Sequence, residues 1–275
     1  MKTAFHSFAY GGRSWLPSLG LHEMLRRVKA LGFDGIELGA LRPHAWPGDL
    51  RGKALREAKS LLEDLRLEVA AVNPTVVNHN LISPLPNERR DTIGYYRDCL
   101  HLAAELGAPY LTFSIGWRVQ GTAMAQAKDW MLEALEQLLP EAGRCGVVIV
   151  AEAVNSNRTN FLTTTQGVLE LVREIDSPCL QAMLDLYHAF LMGEDPLKSL
   201  RLLGKNLRYI HFVDGARGTS ERRLPGQGDT PMDRALSTLR EIGYLGYLTV
   251  EIWGADPDRL GAQAMEFFRR YGLGA

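Results

Sequence analysis

Cysteine is scarce in this chain. Only Cys99, Cys145 and Cys179 occur among its 275 residues, and they lack ligand-like spacing. They are expected to be buried free thiols in a reducing compartment. Net charge is nearly absent too: a formal -1 leaves no electrostatic footprint for nucleic acid or for an anionic membrane, so neither is expected as a partner. The N-terminal stretch MKTAFHSFAYGG carries no apolar run long enough for a signal peptide, and no segment is long enough to span a bilayer. A cytoplasmic protein is the expectation. Also missing is a glycine-rich phosphate fingerprint after an early strand, because GFDG at 32–35 precedes its strand. That argues against an open doubly wound sheet, the second choice of fold.

What is present is ordinary in amount and regular in order. Hydrophobic residues make up 46% and charged residues 23%, as in a globular protein with a large core. Strand-like runs are read at 2–8, 35–38, 68–73, 110–115, 147–152, 180–185, 207–213 and 247–252. Amphipathic helical patterns follow them: LHEMLRRVKALG, a helix ending near Leu65, 87–107, 123–143, one after Thr163, a short one near Pro196–Leu203, 232–243, and one from about Asp256 to Tyr271. Eight strand–helix pairs with no linker or composition break predict an α/β fold, a single (β/α)8 barrel over residues 1–275. The continuous Val/Ile/Leu strands are what a parallel sheet covered by helices requires.

Four of the later strands end alike: VVIVAE at Glu152, LQAMLD at Asp185, LRYIH at His211 and YLTVE at Glu251. In a closed barrel the active site lies at the C-terminal strand ends, so these side chains are expected to converge. Singly, each acid reads as a helix N-cap or salt-bridge partner, and the histidine as a packed core residue. Together, three carboxylates and one imidazole form an oxygen-rich donor set. It suits Mn²⁺, Mg²⁺ or Co²⁺ better than structural zinc. Without a cation the carboxylates would repel and raise one another's pKa. His188, three residues after Asp185, is expected either to polarise a substrate oxygen or to hold Asp185 in place. Arg222 or Arg223 reads as an anchor for substrate oxygens, presented by the Pro225-Gly226-Gln227-Gly228 turn.

The pieces LGFDGIE (31–37), Glu152 with Asn155, Asp185-x-x-His188, HFVD (211–214), Arg222-x-x-Pro-Gly-x-Gly and Glu251 resemble the xylose isomerase-like TIM-barrel superfamily of sugar isomerases and epimerases. Within it the chain looks most like ketose 3-epimerases. The Arg42-Pro43-His44-Ala45 loop and the segment LRYIHFVD are particularly similar to fructoselysine 3-epimerase. The resemblance implies one divalent ion, Mn²⁺ before Mg²⁺ or Co²⁺, on Glu152, Asp185, His211 and Glu251, with His188 and Arg222 touching a small carbohydrate substrate. It also implies a metal-stabilised enediolate, with Glu152 and Glu251 moving the C3 proton between faces, and a homodimer or homotetramer. An aldose–ketose isomerase would use the same site between C1 and C2. A dehydratase or lyase on this scaffold would begin with the same proton abstraction. An endonuclease IV-type nuclease would need further histidines after strands three and four, where Val72-Asn73-Pro74 and Ser114-Ile115-Gly116 stand instead.

One position departs from the family pattern. Six residues after Glu152, where an acid is common, the chain has Arg158. If Arg158 reaches the pocket, a substrate carboxylate or phosphate is expected. His6, Tyr10, Glu37 and Trp117 are candidates for pocket lining or rim packing, with His6 and Glu37 placed among the substrate contacts. Trp15 and Trp253 are candidates for an apolar wall or a subunit contact. His79 and His101 read as loop and helix surface.

Overall fold

The computed structural model describes residues 1–11, 19–75 and 79–274, so Trp15 lies outside the described residues. Eight parallel strands close into one barrel: Lys2–His6, Gly35–Gly39, Glu68–Asn73, Tyr110–Phe113, Val148–Ala151, Leu180–Asp185, Leu207–His211 and Tyr247–Val250, with the first paired to both the second and the last. The helices lie outside it, and a small antiparallel ribbon, Asp214–Gly215 with Arg222–Arg223, follows the seventh strand.

Two cores hold this together. Outside the sheet, helix faces such as Met24, Leu25 and Val28 of Leu21–Ala30 are wholly buried against the barrel. A second cluster joins small side chains of the first and third strands, Ala4, Ala70 and Ala71, to the larger Met183 and Tyr209 of the sixth and seventh. In a closed barrel of this kind the functional side chains gather at the C-terminal strand ends. Asp195 accepts hydrogen bonds from the Leu197 and Lys198 N–H groups, and Asp256 accepts one from Arg259 N–H, starting the helices Pro196–Leu203 and Pro257–Arg269.

Several strands end earlier than the apolar pattern predicts. The fifth stops at Ala151 and the eighth at Val250, so Glu152 and Glu251 are each the first residue beyond the ladder. Likewise the first ends at His6, the fourth at Phe113 and the seventh at His211. Apolar residues continue past these points because the rim is itself buried: Ile115, Phe212, Val213 and Ile252 all lie inside.

Candidate active site

Register sets the height of the first two site residues. Asp185 and His211 are direct partners on neighbouring strands, so both side chains emerge at one level. Glu152 and Glu251 flank them, each released from its ladder by one residue. His211 Nδ1 lies 3.5 Å from Glu152 Oε1, 3.5 Å from Asp185 Oδ2 and 3.2 Å from Glu251 Oε2. All four side chains are buried. The expected quartet therefore comes together.

The orientation of His211 is fixed from behind. Its Nε2–H faces Glu37 Oε2 at 2.9 Å, and Glu37 is saturated by other donors: Tyr209 O–H at 2.7 Å, Asn73 Nδ2–H at 2.7 Å and His6 Nε2 at 3.2 Å. His6 is turned by the Phe8 backbone N–H, which donates to its Nδ1. Burial works to raise the Glu37 carboxyl, and the charges of His211 and His6 outweigh it, holding it well below the usual range. With Nε2–H committed to Glu37, His211 Nδ1 turns toward the carboxylates, where it either bears a proton or shares a cation with them. Burial pushes His211 down, and Glu37 and Glu251 overcome that, raising it well above an ordinary histidine.

His188 is organised separately. Asp185 caps the helix Leu186–Leu191, accepting from the Tyr187 and His188 N–H groups, which brings the imidazole over the quartet. Asn155 Oδ1 is occupied by the Asn157 N–H, so its amide N–H donates to His188 Nδ1 at 2.7 Å. His188 Nε2 faces the site and lies 3.3 Å from a guanidinium nitrogen of Arg222. Burial lowers the pKa of this ring, and the Asp185 charge only partly offsets it, favouring the neutral imidazole.

Arg222 enters further than the sequence implied. Its guanidinium touches Asp185 Oδ2 and Glu251 Oε2, both at 2.8 Å, between the rings of Tyr187 and Trp253. Burial works to raise Asp185 and Glu251, and Arg222 leads the charges that bring both below their usual values. A protein cation therefore already sits among the crowded carboxylates, beside the place expected for a divalent ion. Asp214 underlies this placement. Wholly buried, it accepts from the N–H groups of Gly215, Gly226, Gly228 and Thr230 and ties both sides of the loop together. A Cβ at Gly228 would come within 2.3 Å of the Gly215 carbonyl oxygen, so only glycine fits there. Arg223 turns away and pairs with Glu221 at 3.0 Å.

A cavity of about 260 Å³ opens over the quartet, lined by Glu152, Glu251, His188, Arg222 and Arg158 and walled by apolar groups including Phe8, Leu41, Ile115 and Trp253. Glu37 and His6 do not reach it. Both are wholly buried behind His211, and their expected contact with substrate is corrected to support of that ring. Tyr10 is buried and donates to Asp258, while Trp117 is exposed and not part of the wall. His79 stacks on Tyr95, ring centres 4.0 Å apart, rather than lying free on a loop. His101 is an exposed partner of Glu141, as a helix-surface histidine should be. Cys99 is buried, but Cys145 and Cys179 are only half-buried. In the sequence, Asn155 and Asp214 stand out only as parts of motifs.

The quartet fits a divalent cation. Glu152 Oε1, Asp185 Oδ2 and His211 Nδ1 are buried without a hydrogen-bond partner, Asp185 Oδ2 being held by its ion pair with Arg222. The ligand atoms of Asp185, His211 and Glu251 lie within 4.8 Å of one another, as do those of Glu152, Asp185 and His188. Arg222 offsets part of this charge from one side, and buried ligand atoms that face one another without hydrogen bonds are costly unless a cation joins them. Among the described residues, His188 is the one histidine that lines the cavity, with His211 beneath it in the quartet. No helix is long and apolar enough to cross a membrane among the described residues.

The chain is similar over most of its length to known proteins. Fructoselysine 3-epimerase of Escherichia coli O157:H7 is 26% identical over 256 residues, covering 91% of this chain and 93% of its own length. D-psicose 3-epimerase of Ruminiclostridium cellulolyticum is 24% identical over 249 residues, covering 89% and 81%. The crystal structure of D-psicose 3-epimerase with D-tagatose from Clostridium cellulolyticum H10 superposes with a TM-score of 0.82 at 22% identity, covering 100% of both chains, and attests the fold. The description "Xylose isomerase-like TIM barrel" matches residues 25–271, and the chain belongs to that family.

Proposed function

We propose that this chain is a divalent-cation-dependent sugar epimerase that inverts C3 of a ketose or ketose derivative, with Glu152 and Glu251 as its two bases. The observation that carries the reading is the placement of those glutamates. They follow the fifth and eighth strands, with Asp185 and His211 on the two strands between, so a carboxylate stands on each flank of the cluster. Inversion needs that arrangement: one carboxylate removes the proton and the other returns one to the opposite face. Similarity to relatives named 3-epimerases supports the same class, an isomerase.

Glu152, Asp185, His211 and Glu251 would hold the ion, Mn²⁺ by preference and Mg²⁺ or Co²⁺ as substitutes. When bound, it supplies Lewis-acid chemistry, drawing electron density from adjacent substrate oxygens and acidifying the C3–H bond. The remaining work belongs to the protein. His188, held by Asn155, donates its Nε2–H to a substrate oxygen. Arg222 binds substrate oxygens from its aromatic cradle while keeping Asp185 and Glu251 ionised. The apolar wall excludes water from the exposed carbanion. Action in the cytoplasm, as a homodimer or homotetramer, completes the proposal.

Proton NMR in deuterium oxide, with the Mn²⁺-loaded protein and a panel of ketoses, tests the reading. Exchange at C3 with formation of the epimer is expected. Exchange at C1 would make the protein an aldose–ketose isomerase, and loss of water from the product would make it a dehydratase.

A further inference from the structure

The charged groups around the cavity are not all matched. Arg222 is committed to Asp185 and Glu251 at 2.8 Å each. Arg158 also lines the cavity, yet among the described residues no carboxylate lies within 4.0 Å of its guanidinium, and no side-chain hydrogen bond holds it. Arg158 is exposed to solvent, and it stands on a braced turn at the cavity mouth. Its backbone N–H donates to the Asn155 carbonyl at 2.9 Å, and the next residue, Thr159, is pinned to the Gly116 carbonyl at 2.6 Å. Val154 N–H donates to the Leu162 carbonyl, closing the turn from the other side. The side chain of the same Asn155 orients His188. One short turn therefore fixes both the imidazole over the reacting atoms and an unmatched cation on the wall beside it.

Phe8, Leu41, Ile115, Val154, Leu162 and Trp253 make up much of the rest of that wall, and its two carboxylates, Glu152 and Glu251, lie more than 4.0 Å from the guanidinium. A neutral sugar would leave the guanidinium without an ionic contact. A carboxylate or phosphate would meet it through two parallel N–H···O bonds, the geometry to which guanidinium is suited. We infer that the substrate is an anionic ketose derivative whose carboxylate or phosphate is bound by Arg158. This rests on the epimerase reading for the word ketose, but the anion subsite stands on its own geometry.

The test uses the Mn²⁺-loaded protein with fructose, fructuronate, fructose 1-phosphate and fructose 6-phosphate. Calorimetric binding and C3 deuterium exchange are both measured. At least one anionic compound is expected to exceed fructose in affinity and in kcat/KM by roughly 10- to 100-fold, the worth of one charge-assisted hydrogen bond. Which anion wins separates a carboxylate from a phosphate and one end of the sugar from the other. Arg158→Gln is expected to reduce that ratio by the same factor, mainly through KM. Arg158→Glu should push the preference toward fructose, and added salt should shrink the wild-type preference. Equal handling of fructose and every anion, or an unchanged ratio in Arg158→Gln, overturns the proposal. Arg158-dependent anion binding without exchange at C3 would sink the epimerase reading and keep the subsite. Exchange at C3 that ignores charge would do the reverse.

Discussion

The two halves of the barrel mouth use the same residue types to opposite ends. The first three strands carry Glu37, His6 and Asn73, and the last four carry Glu152, Asp185, His211 and Glu251. In the first group the carboxylate accepts from Tyr209, Asn73, His6 and His211, and nothing is left over. In the second group Glu152 Oε1, Asp185 Oδ2 and His211 Nδ1 are buried without hydrogen-bond partners. A satisfied buried carboxylate is a support, because all its lone pairs are already engaged. One that lacks hydrogen bonds is open to a ligand, because only the charges of Arg222 and His211 offset its desolvation. Hydrogen-bond satisfaction, more than residue identity, separates the two halves.

That distinction fails most visibly if the unsatisfied half is dispensable. Glu152→Gln and Glu251→Gln keep shape and remove the base, so each is expected to lower kcat for C3 exchange by about 10³-fold or more. Because both are also candidate ligands, Mn²⁺ content is measured by electron paramagnetic resonance alongside the rates. Retained exchange in both variants would exclude the two-base scheme.

The first half also buries an imidazole with no acid beside it, and this gives the next largest effect. His44 has its Nε2 near the Leu19 carbonyl at 3.2 Å and its Nδ1 unpartnered. Burial, only partly countered by that carbonyl and reinforced by His6, lowers its pKa to about 4. Above pH 6.5 neither folded nor unfolded chain protonates there, and stability is unaffected. Between pH 6.5 and about 4 the unfolded chain takes up a proton that the folded one refuses, so stability falls as the pH falls. The loss amounts to about 3 kcal/mol. Urea titrations at pH 7 and pH 4.5 should show His44→Gln losing less stability over that interval than the parent. Equal losses would mean that His44 is protonated in the fold.

A smaller effect falls where the halves touch. Glu37→Gln removes the charge behind His211 and keeps most of the hydrogen bonds. It is expected to weaken Mn²⁺ affinity by about 10- to 100-fold, the usual cost of losing a carboxylate behind a ligating histidine. An unchanged affinity would show that the saturated half is scaffolding alone.

Much of the quartet was legible because strand ends in a barrel share one exit, and the side chains at those ends were the wrong type for packing. Glu37 was misread for the same reason. At the level of sequence it is another acid in an apolar strand, and Tyr209, which saturates it, lies 172 residues away. The depth of Arg222 was hidden as well, since it depends on a cradle of backbone N–H groups around Asp214, and a backbone donor leaves no mark in the residue pattern. Strand ends were overrun because a buried rim continues the apolar run after the ladder has stopped.

The mildest change expected is Tyr187→Phe, which asks whether the loop bearing Arg222 is held by its ring contacts or by a tether. The Tyr187 hydroxyl donates to the Ser220 carbonyl, two residues before Arg222, while its ring lies 4.5 Å from the guanidinium carbon. Phenylalanine keeps the ring and deletes only the tether. Ser220 is exposed, so its carbonyl can turn to water, and the cost in stability should stay near the low end of about 0.5–1.5 kcal/mol for one hydrogen bond. Loosening the loop should raise KM by roughly two- to fivefold, a fraction of the worth of one hydrogen bond, with kcat nearly unchanged. A fall in kcat with constant KM would place the tether in the chemical step. The guanidinium would then belong with the reacting groups of the unsatisfied half, and its ion pairs with Asp185 and Glu251 would have to be remade during turnover.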